Sequence, residues 1–267
     1  MNATVQTGLF FQRRWPNGFV CPRCGHGAYY PVSTRRRPLY ECRLCRHQTS
    51  VTAGTVMDKT RTPLAKWAAA IDLLSSTNGV NAAQLAAGIG VSHKTAWLML
   101  RKFRNVIAEV ESSRKLTGVV QAGLLALAPK YIFTFLPHRH YRRERVVALS
   151  ASIGSSGLPS ELRIGYIEGR HLIPGWKEPT PEGKAYIVSE HAHPQAELAW
   201  LNDTRMHRAP LRQIFRDAQQ WLNRVFNGIG TKYLQSYLDE YCYRWNPAAG
   251  GLSLREEWYK LCFGTAS

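Results

Sequence analysis

Acidic residues are scarce in this chain of 267 residues, where 18 Asp and Glu stand against 35 Lys and Arg and leave a formal net charge of +17. Long apolar runs are missing too, and no stretch approaches the roughly 18 uncharged residues that span a bilayer. The first residues lack a basic segment followed by an apolar one, which is the pattern of a secretory signal. We therefore expect no membrane partner and a cytoplasmic, nucleoid-associated protein. A pI near 10.0 indicates a polyanionic partner, most simply nucleic acid.

Two further absences narrow the classes of function. The glycines, among them Gly165 and Gly169, lack the spacing of a nucleotide-binding loop, so we expect no nucleotide cofactor. No Asp occurs between Asp72 and Asp203. Charge is also uneven, because residues 1–116 carry a net +12 and the remainder a net +5. This asymmetry predicts a nucleic-acid-binding N-terminal half joined to a second part.

Cysteine is infrequent, but four of the six cysteines form two Cys-x-x-Cys pairs with 17 residues between the pairs. Each pair brings two thiolates together, and two pairs supply the four tetrahedral ligands that Zn²⁺ prefers. Chance pairing and a disulfide framework are the alternatives, and disulfides are disfavoured in a chain without an export signal. The spacing therefore predicts a zinc ribbon with a structural zinc ion bound by Cys21, Cys24, Cys42 and Cys45. We expect Cys242 and Cys262 to be reduced core residues.

The segment between the two cysteine pairs is basic and aromatic. Three consecutive arginines, Arg35, Arg36 and Arg37, lie among several tyrosines. Such a hairpin suits the phosphates of a nucleic-acid backbone. A solvated basic hairpin is an equally good interpretation of the same residues.

Residues 62–110 have the pattern of three helices. Thr62, followed by a proline at the first helical position, predicts the start of the first helix. Asn81 predicts the cap of a short second helix, and after a glycine turn Ser92 predicts the cap of a third that runs to about residue 110. The core face of the third helix is predicted from apolar spacing to contain Ala96, Leu100, Phe103 and Ile107.

A short helix, a glycine turn and a Ser-capped basic helix form the arrangement by which a helix enters the major groove of DNA. The predicted contacts to base edges come from the first turn, at Ser92, His93 and Lys94. Arg101 and Arg104 are predicted to meet phosphates, with Lys102 beside them. The alternative is a helical hairpin packed only for structure, with a solvated basic face.

Several motifs follow one another almost without interruption over residues 11–118. They are WPNG at 15–18, the two cysteine pairs, YECRLCRHQTS at 40–50, TAGTVMDKT at 52–60 and GVSHKTAWLMLRK at 90–102. Together they resemble the N-terminal half of the ISXO-type zinc-ribbon insertion-sequence transposases. Near the C-terminus, YLDEY and YRWN at 237–246 resemble the terminal signature of the same transposases.

The resemblance implies an RNase H-like mixed α/β domain in the rear half. Strand-forming residues at 145–152 and 161–167 flank a Gly-Ser loop and predict an antiparallel hairpin. A further strand is predicted over 184–190, followed by helices over 209–226 and 231–244. The expected fold class is α+β and multidomain. The expected domains are a zinc ribbon with an N-terminal extension at 1–60, a helix-turn-helix at 61–115, a degenerate RNase H-like domain at 116–247 and a tail at 248–267.

Transposases of this group hold two divalent metals with carboxylates on a first strand, a fourth strand and a late helix. The resemblance puts the first of these acids on Ala122, the second on Glu190 and the third on Asp217, where Gln219 replaces an accompanying lysine. Since Mg²⁺ needs hard oxygen ligands, we expect strand transfer to be lost or impaired. Mg²⁺ is then expected as a cofactor only if the site survives.

Three functions remain open at this point. The first is a DNA-binding protein derived from a transposase that holds double-stranded DNA without cutting it. The second is an active transposase that uses Glu190, Asp217 and either Asp203 or Glu240 with an unusual first ligand. The third is a regulatory partner that forms mixed oligomers with an intact transposase, and a homo-oligomer is the other assembly considered.

Overall fold

The computed structural model of the chain describes residues 3–32, 38–76, 78–127, 145–202, 205–206, 209–226 and 229–263. The chain divides into two compact units. The first unit contains Met1–Ser76, Ala82–Phe103 and Arg255–Ser267, and the second contains Thr77–Asn81 and Arg104–Leu254. The two cysteine pairs belong to the first unit, and the larger sheet belongs to the second.

The first unit begins with helix α1 (Ala3–Arg14) and a three-stranded antiparallel sheet. Its strands are β1 (Tyr29–Val32), β2 (Leu39–Cys42) and β3 (Gln48–Ser50), with β2 in the centre. A sheet this small buries few aliphatic side chains, so aromatic rings between α1 and the sheet supply much of its core. Their centroids lie 4.9–6.3 Å apart, and the rings are those of Phe11, Trp15, Phe19, Tyr29 and Tyr40.

Three helices follow the ribbon, as the sequence predicts. They are α2 (Leu64–Leu74), α3 (Ala82–Ile89) and α4 (His93–Ser113). The predicted start of α2 is wrong by one residue, because Pro63 and not Thr62 takes the N-cap position. Proline still suits this place, since the first turn of a helix needs no donor from it.

The turn between α3 and α4 is fixed by hydrogen bonds at the end of α3. Gly90 has a left-handed φ of +63°, and the N–H of Val91 donates to the carbonyl of Ala86 over 3.1 Å. This is a Schellman ending, which glycine favours because it has no Cβ. Lys66 of α2 also donates its Nζ to the carbonyl of Ile89. These hydrogen bonds fix the direction in which the chain leaves α3 and enters α4.

The start of α4 agrees with the predicted cap. The Oγ of Ser92 accepts a hydrogen bond from the N–H of Thr95 over 3.2 Å, the pattern of a serine N-cap. The predicted core face is confirmed as well, with each side chain at most 2% exposed: Ala96, Leu100, Phe103 and Ile107. The helix runs three residues beyond the predicted end, to Ser113.

The predicted C-terminal tail at 248–267 contains a helix, α8 (Leu254–Phe263), that belongs to the first unit. Trp258 of this helix is 1% exposed and meets the ring of Phe103 edge-on, with centroids 5.3 Å apart. The periodic apolar residues of this segment indicated a helix, but the expectation of a tail overlooked them.

The second unit is built on a four-stranded sheet with the order β6-β5-β4-β7. Its strands are β4 (Val119–Leu127), β5 (Arg145–Ile153), β6 (Pro159–Tyr166) and β7 (Glu197–Trp200). Strands β4, β5 and β6 pair antiparallel, and β7 pairs parallel to β4. The predicted hairpin is therefore confirmed as the β5–β6 pair.

The predicted strand over 184–190 is wrong, because these residues lie in helix α5 (Pro181–His191). The run Ala-Tyr-Ile-Val resembles a strand, but a strong helix start precedes it. Thr180 caps the helix by accepting from the N–H of Gly183 over 3.0 Å, and proline occupies the first turn. Glu190 consequently lies in the last turn of a helix and not at the end of a strand.

Helices cover both faces of the larger sheet. Helices α6 (Leu211–Val225) and α7 (Thr231–Ala249) pack on the face that contains Leu149. Helix α5 packs through Ile187 on the opposite face, which contains Ala148. Adjacent strand residues point to opposite faces, so the two cores are separated by the sheet itself. No helix among the described residues is long and apolar enough to cross a membrane.

Side chains of α7 cover the free edge of strand β6. Asn246 accepts from the N–H of Leu162 over 2.7 Å and donates to its carbonyl over 3.1 Å. Gln235 accepts from the N–H of Tyr166 over 2.7 Å and donates to the carbonyl of Ile164 over 3.0 Å. Two amide side chains thus replace the neighbouring strand and protect the edge from pairing with another chain.

Candidate metal centre and nucleic-acid interface

The four predicted zinc ligands converge in the ribbon, with their Sγ atoms within 4.8 Å of one another. The Sγ atoms of Cys21 and Cys45 are 3.6 Å apart, and so are those of Cys24 and Cys42. Four thiolates at about 2.3 Å from a tetrahedral zinc ion lie about 3.8 Å from one another. The cluster therefore fits a structural Zn²⁺, and its sulfur atoms are too far apart for disulfide bonds.

Both cysteine pairs form the same knuckle turn. The N–H of Gly25 donates to the carbonyl of Cys21 over 2.9 Å, and the N–H of Arg46 donates to the carbonyl of Cys42 over 3.1 Å. Gly25 and Arg46 both have left-handed backbone, with φ of +74° and +58°. Burial opposes the charge of the Cys42 thiolate, but hydrogen bonds from the backbone N–H groups of Cys45 and Leu44 lower its pKa to about 7. A lowered thiol pKa favours the thiolate that binds a metal.

The predicted base-reading residues lie together at the start of α4. Ser92, His93 and Lys94 are all exposed, in the turn where the helix leaves its first N–H groups unpaired. Arg101 is exposed as well, with its Cζ 5.4 Å from the ring centroid of Trp97. An exposed, basic first turn with a helix dipole behind it is suited to an anionic partner.

Two of the predicted phosphate contacts are occupied within the protein. The Nζ of Lys102 donates to the carbonyl of Asp58 over 2.6 Å. Arg104 is only 6% exposed, and its Nε lies 2.8 Å from the carboxylate of Glu240. The ring of Tyr237 covers its guanidinium at 4.0 Å. The expectation that Arg104 meets a phosphate is therefore corrected: the helix turns this residue into the interior.

The predicted arginines of the ribbon hairpin, Arg35, Arg36 and Arg37, lie outside the described residues. The structure instead reveals basic residues that the sequence reasoning missed. Arg43 and Arg46 both lie against the ring of Tyr30, with Cζ atoms 4.6 and 5.7 Å from its centroid. The sequence contained one sign of these residues: Arg46 follows the second cysteine pair, whereas Gly25 follows the first pair.

The position of the first expected acid is buried. Ala122 lies in the central part of β4, is 0% exposed and pairs with Ser150 and Trp200 on the neighbouring strands. Its carbonyl accepts from the N–H of Leu201 over 2.7 Å. Packed strands surround this position on both sides, and the side chain at its centre is a methyl group that cannot bind a metal.

The two remnant acidic positions lie on opposite sides of the sheet. Glu190 is on α5, whereas Asp217 is exposed on α6 and accepts from Gln213 over 2.9 Å. Asp203 lies outside the described residues, and Glu240 forms ion pairs with Arg104 and Arg244. Three or more His, Cys, Asp or Glu side chains must lie close together to hold a metal ion. Among the described residues, the four cysteines of the ribbon are the one group that does so.

Glu190 instead lines a pocket of about 260 Å³ together with Asp239. The floor is buried: His191 is 3% exposed, and its Nδ1 lies 2.8 Å from the Oγ of Ser150. Burial and two nearby cations lower the pKa of His191 to about 3, so it is neutral near pH 7. Burial also raises the pKa of Asp239 to about 6. His191 contacts Ser150, the residue of β5 that pairs with Ala122 of β4.

Comparison with known proteins matches residues 7–48 to the transposase zinc-ribbon domain. The match covers the aromatic core of the ribbon and all four cysteines of the metal centre. No curated protein and no solved structure is significantly similar to this chain. The N-terminal part of the chain therefore contains a transposase zinc-ribbon domain with a four-cysteine cluster.

Proposed function

We propose that this chain is a DNA-binding protein similar to insertion-sequence transposases, and that its first unit binds double-stranded DNA. The observation that carries the proposal is the transposase zinc-ribbon domain at residues 7–48 with a cysteine cluster of zinc geometry. The net charge of +12 over residues 1–116, a segment that contains most of this unit, supports a polyanionic partner.

Helices α3 and α4 are proposed to act as a helix-turn-helix, with α4 entering the major groove. The tight glycine turn and the serine cap support this reading, because they present an exposed first turn at the start of a long helix. In this proposal Ser92, His93 and Lys94 reach base edges, and Arg101 contacts a phosphate. Lys102 and Arg104 are left out, because their side chains have partners inside the protein.

The second unit is proposed to be an RNase H-like domain whose strand-transfer chemistry is lost. Its support is a sheet in which three antiparallel strands precede a fourth that pairs parallel to the first. The loss is inferred from Ala122, which occupies the first acidic position, and from Glu190, which lies on helix α5 and not on the fourth strand, β7, and on the opposite face of the sheet from Asp217. Two metals that share one phosphate need ligands on a common side.

A combined binding and cleavage assay tests this proposal. Zinc-loaded protein is mixed with a labelled duplex library of random sequence in the presence of Mg²⁺ or Mn²⁺, and the DNA is then analysed on native and denaturing gels. We expect retarded bands on the native gel and full-length strands on the denaturing gel.

The Glu190→Gln variant provides the control for residual activity. We expect it to behave like the wild type on both gels. Metal-dependent cleavage or joining by the wild type would overturn the proposed loss of chemistry, and its abolition by Glu190→Gln would favour an active transposase with a non-standard acidic set. A regulatory partnership with an intact transposase, oligomerisation and nucleoid association stay predictions.

A further inference from the structure

The second zinc knuckle presents an exposed surface formed by Tyr30, Arg43 and Arg46, which we name the knuckle platform. The ring of Tyr30 is 45% exposed on the outer face of β1. The guanidinium Cζ of Arg43 lies 4.6 Å from the ring centroid, and that of Arg46 lies 5.7 Å from it. An aromatic face attracts guanidinium groups and restricts where they can point.

The backbone of Arg46 shows that the metal fold does not require an arginine there. Its φ of +58° lies in the left-handed region, which is unfavourable for a residue with a Cβ. Gly25 occupies the same position of the first knuckle, with a φ of +74° and the same hydrogen bond to a cysteine carbonyl. Glycine is thus the residue that this turn favours, and a strained residue in its place points to a role for the side chain.

Stability does not explain the choice of arginine. Arg46 pairs with Glu41 over 3.1 Å, but its side chain is 69% exposed, and exposed ion pairs contribute little to folding. The other oxygen of Glu41 accepts from Gln48 over 2.8 Å. Glu41 and the ring of Tyr30 therefore hold the guanidinium in place while much of it still faces solvent. A fixed guanidinium with free N–H groups is suited to bidentate binding of a phosphate.

We propose that the knuckle platform binds the phosphodiester backbone of DNA, independently of base sequence. This inference rests on the proposed function, because it takes DNA as the partner, and it adds a contact surface separate from the first turn of α4. The platform contains two arginines, and among the described residues the one acidic residue paired with them is Glu41, so the surface has a net positive charge.

The Arg46→Gly variant separates binding from folding, because glycine suits the left-handed position. We expect this zinc-loaded variant to keep its zinc and the wild-type hydrogen-exchange protection of the ribbon. Its affinity for a labelled 30-bp duplex of random sequence should fall about 3- to 10-fold at low salt, and the slope of log K against log salt should shrink by about 1. Fluorescence anisotropy over a salt series measures both quantities.

Two further variants control for general loss of charge. Arg43→Ala should weaken binding to the same extent as Arg46→Gly, because both residues belong to the platform. Arg23→Ala removes an exposed arginine from the first knuckle and should weaken binding less than half as much on a logarithmic scale. Equal losses for Arg23→Ala and Arg46→Gly would overturn the platform and indicate only a general dependence on charge.

Failure of the platform can be distinguished from failure of the proposed function. If Arg46→Gly binds the duplex like the wild type while Lys94→Ala binds more weakly, the platform is wrong and DNA binding through α4 stands. If the wild type does not bind the duplex at low salt, DNA is not the partner and both proposals fall.

Discussion

Replacing Cys42 by Ser should remove the zinc ion and unfold the ribbon. The wild type should contain about one equivalent of zinc, because a closed four-thiolate site binds one structural ion. In small zinc modules the apparent binding free energy is about 10–16 kcal/mol at pH 7, and this energy is also the folding energy of the module. The ribbon has few aliphatic core residues to replace it. Metal analysis and hydrogen exchange of residues 11–50 measure the two effects.

A matched cysteine variant shows whether the effect belongs to the metal centre. Cys242 is 2% exposed in the second unit and is not one of the four clustered cysteines, so Cys242→Ala should keep the full zinc content. The metal assignment would be wrong if wild-type protein purified without chelator held less than about half an equivalent of zinc. It would also be wrong if Cys42→Ser retained the wild-type exchange protection in the ribbon.

Replacing Glu240 by Gln should destabilise the second unit by about 3–5 kcal/mol, because it leaves two buried arginines without their shared counter-charge. Glu240 is 1% exposed and accepts from Arg104 over 2.8 Å and from Arg244 over 2.9 Å. Burial opposes its charge, but the two guanidinium groups hold its pKa below the usual value. Because Gln has nearly the same shape as Glu, the lost free energy of unfolding comes from the missing charge and not from a cavity.

Hydrogen exchange within α7 measures this change locally, which avoids treating a two-unit chain as a single folding transition. Exchange of the most protected amides should become faster by two orders of magnitude or more, since about 1.4 kcal/mol corresponds to a factor of ten. Glu168→Gln is the control, because its pair with Arg170 is 59–70% exposed and should contribute less than about 1 kcal/mol. Similar small effects for both variants would mean that the buried ions stabilise little.

The ribbon and the start of α4 could be predicted because their signals are local. Two cysteine pairs at fixed spacing determine a tetrahedral site almost regardless of what surrounds them. Ser92 caps α4 through a hydrogen bond to a residue three positions away, and the apolar spacing that follows describes a single face. Interactions between residues only a few positions apart can be recognised from the sequence alone.

The errors come from contacts between distant residues. Residues 184–190 looked like a strand, but the cap at Thr180 and the packing of α5 on the sheet favour a helix. Arg104 looked like a surface residue of a basic helix, yet its partner Glu240 lies 136 positions along the chain. Helical spacing shows which residues share a face of α4. It does not show that a distant helix, α7, buries a charged residue at the edge of that face.

A binding-site selection with wild-type and Lys94→Ala protein tests most directly whether the first turn of α4 reads DNA. The wild type should enrich one motif from a random duplex library, and Lys94→Ala should lose about 1–3 kcal/mol of discrimination between that motif and a scrambled duplex, as expected for one base contact. Lys232→Ala removes an exposed lysine from the second unit and should leave this discrimination unchanged. The claim would be contradicted if the wild type enriched no motif, or if Lys94→Ala discriminated as well as the wild type.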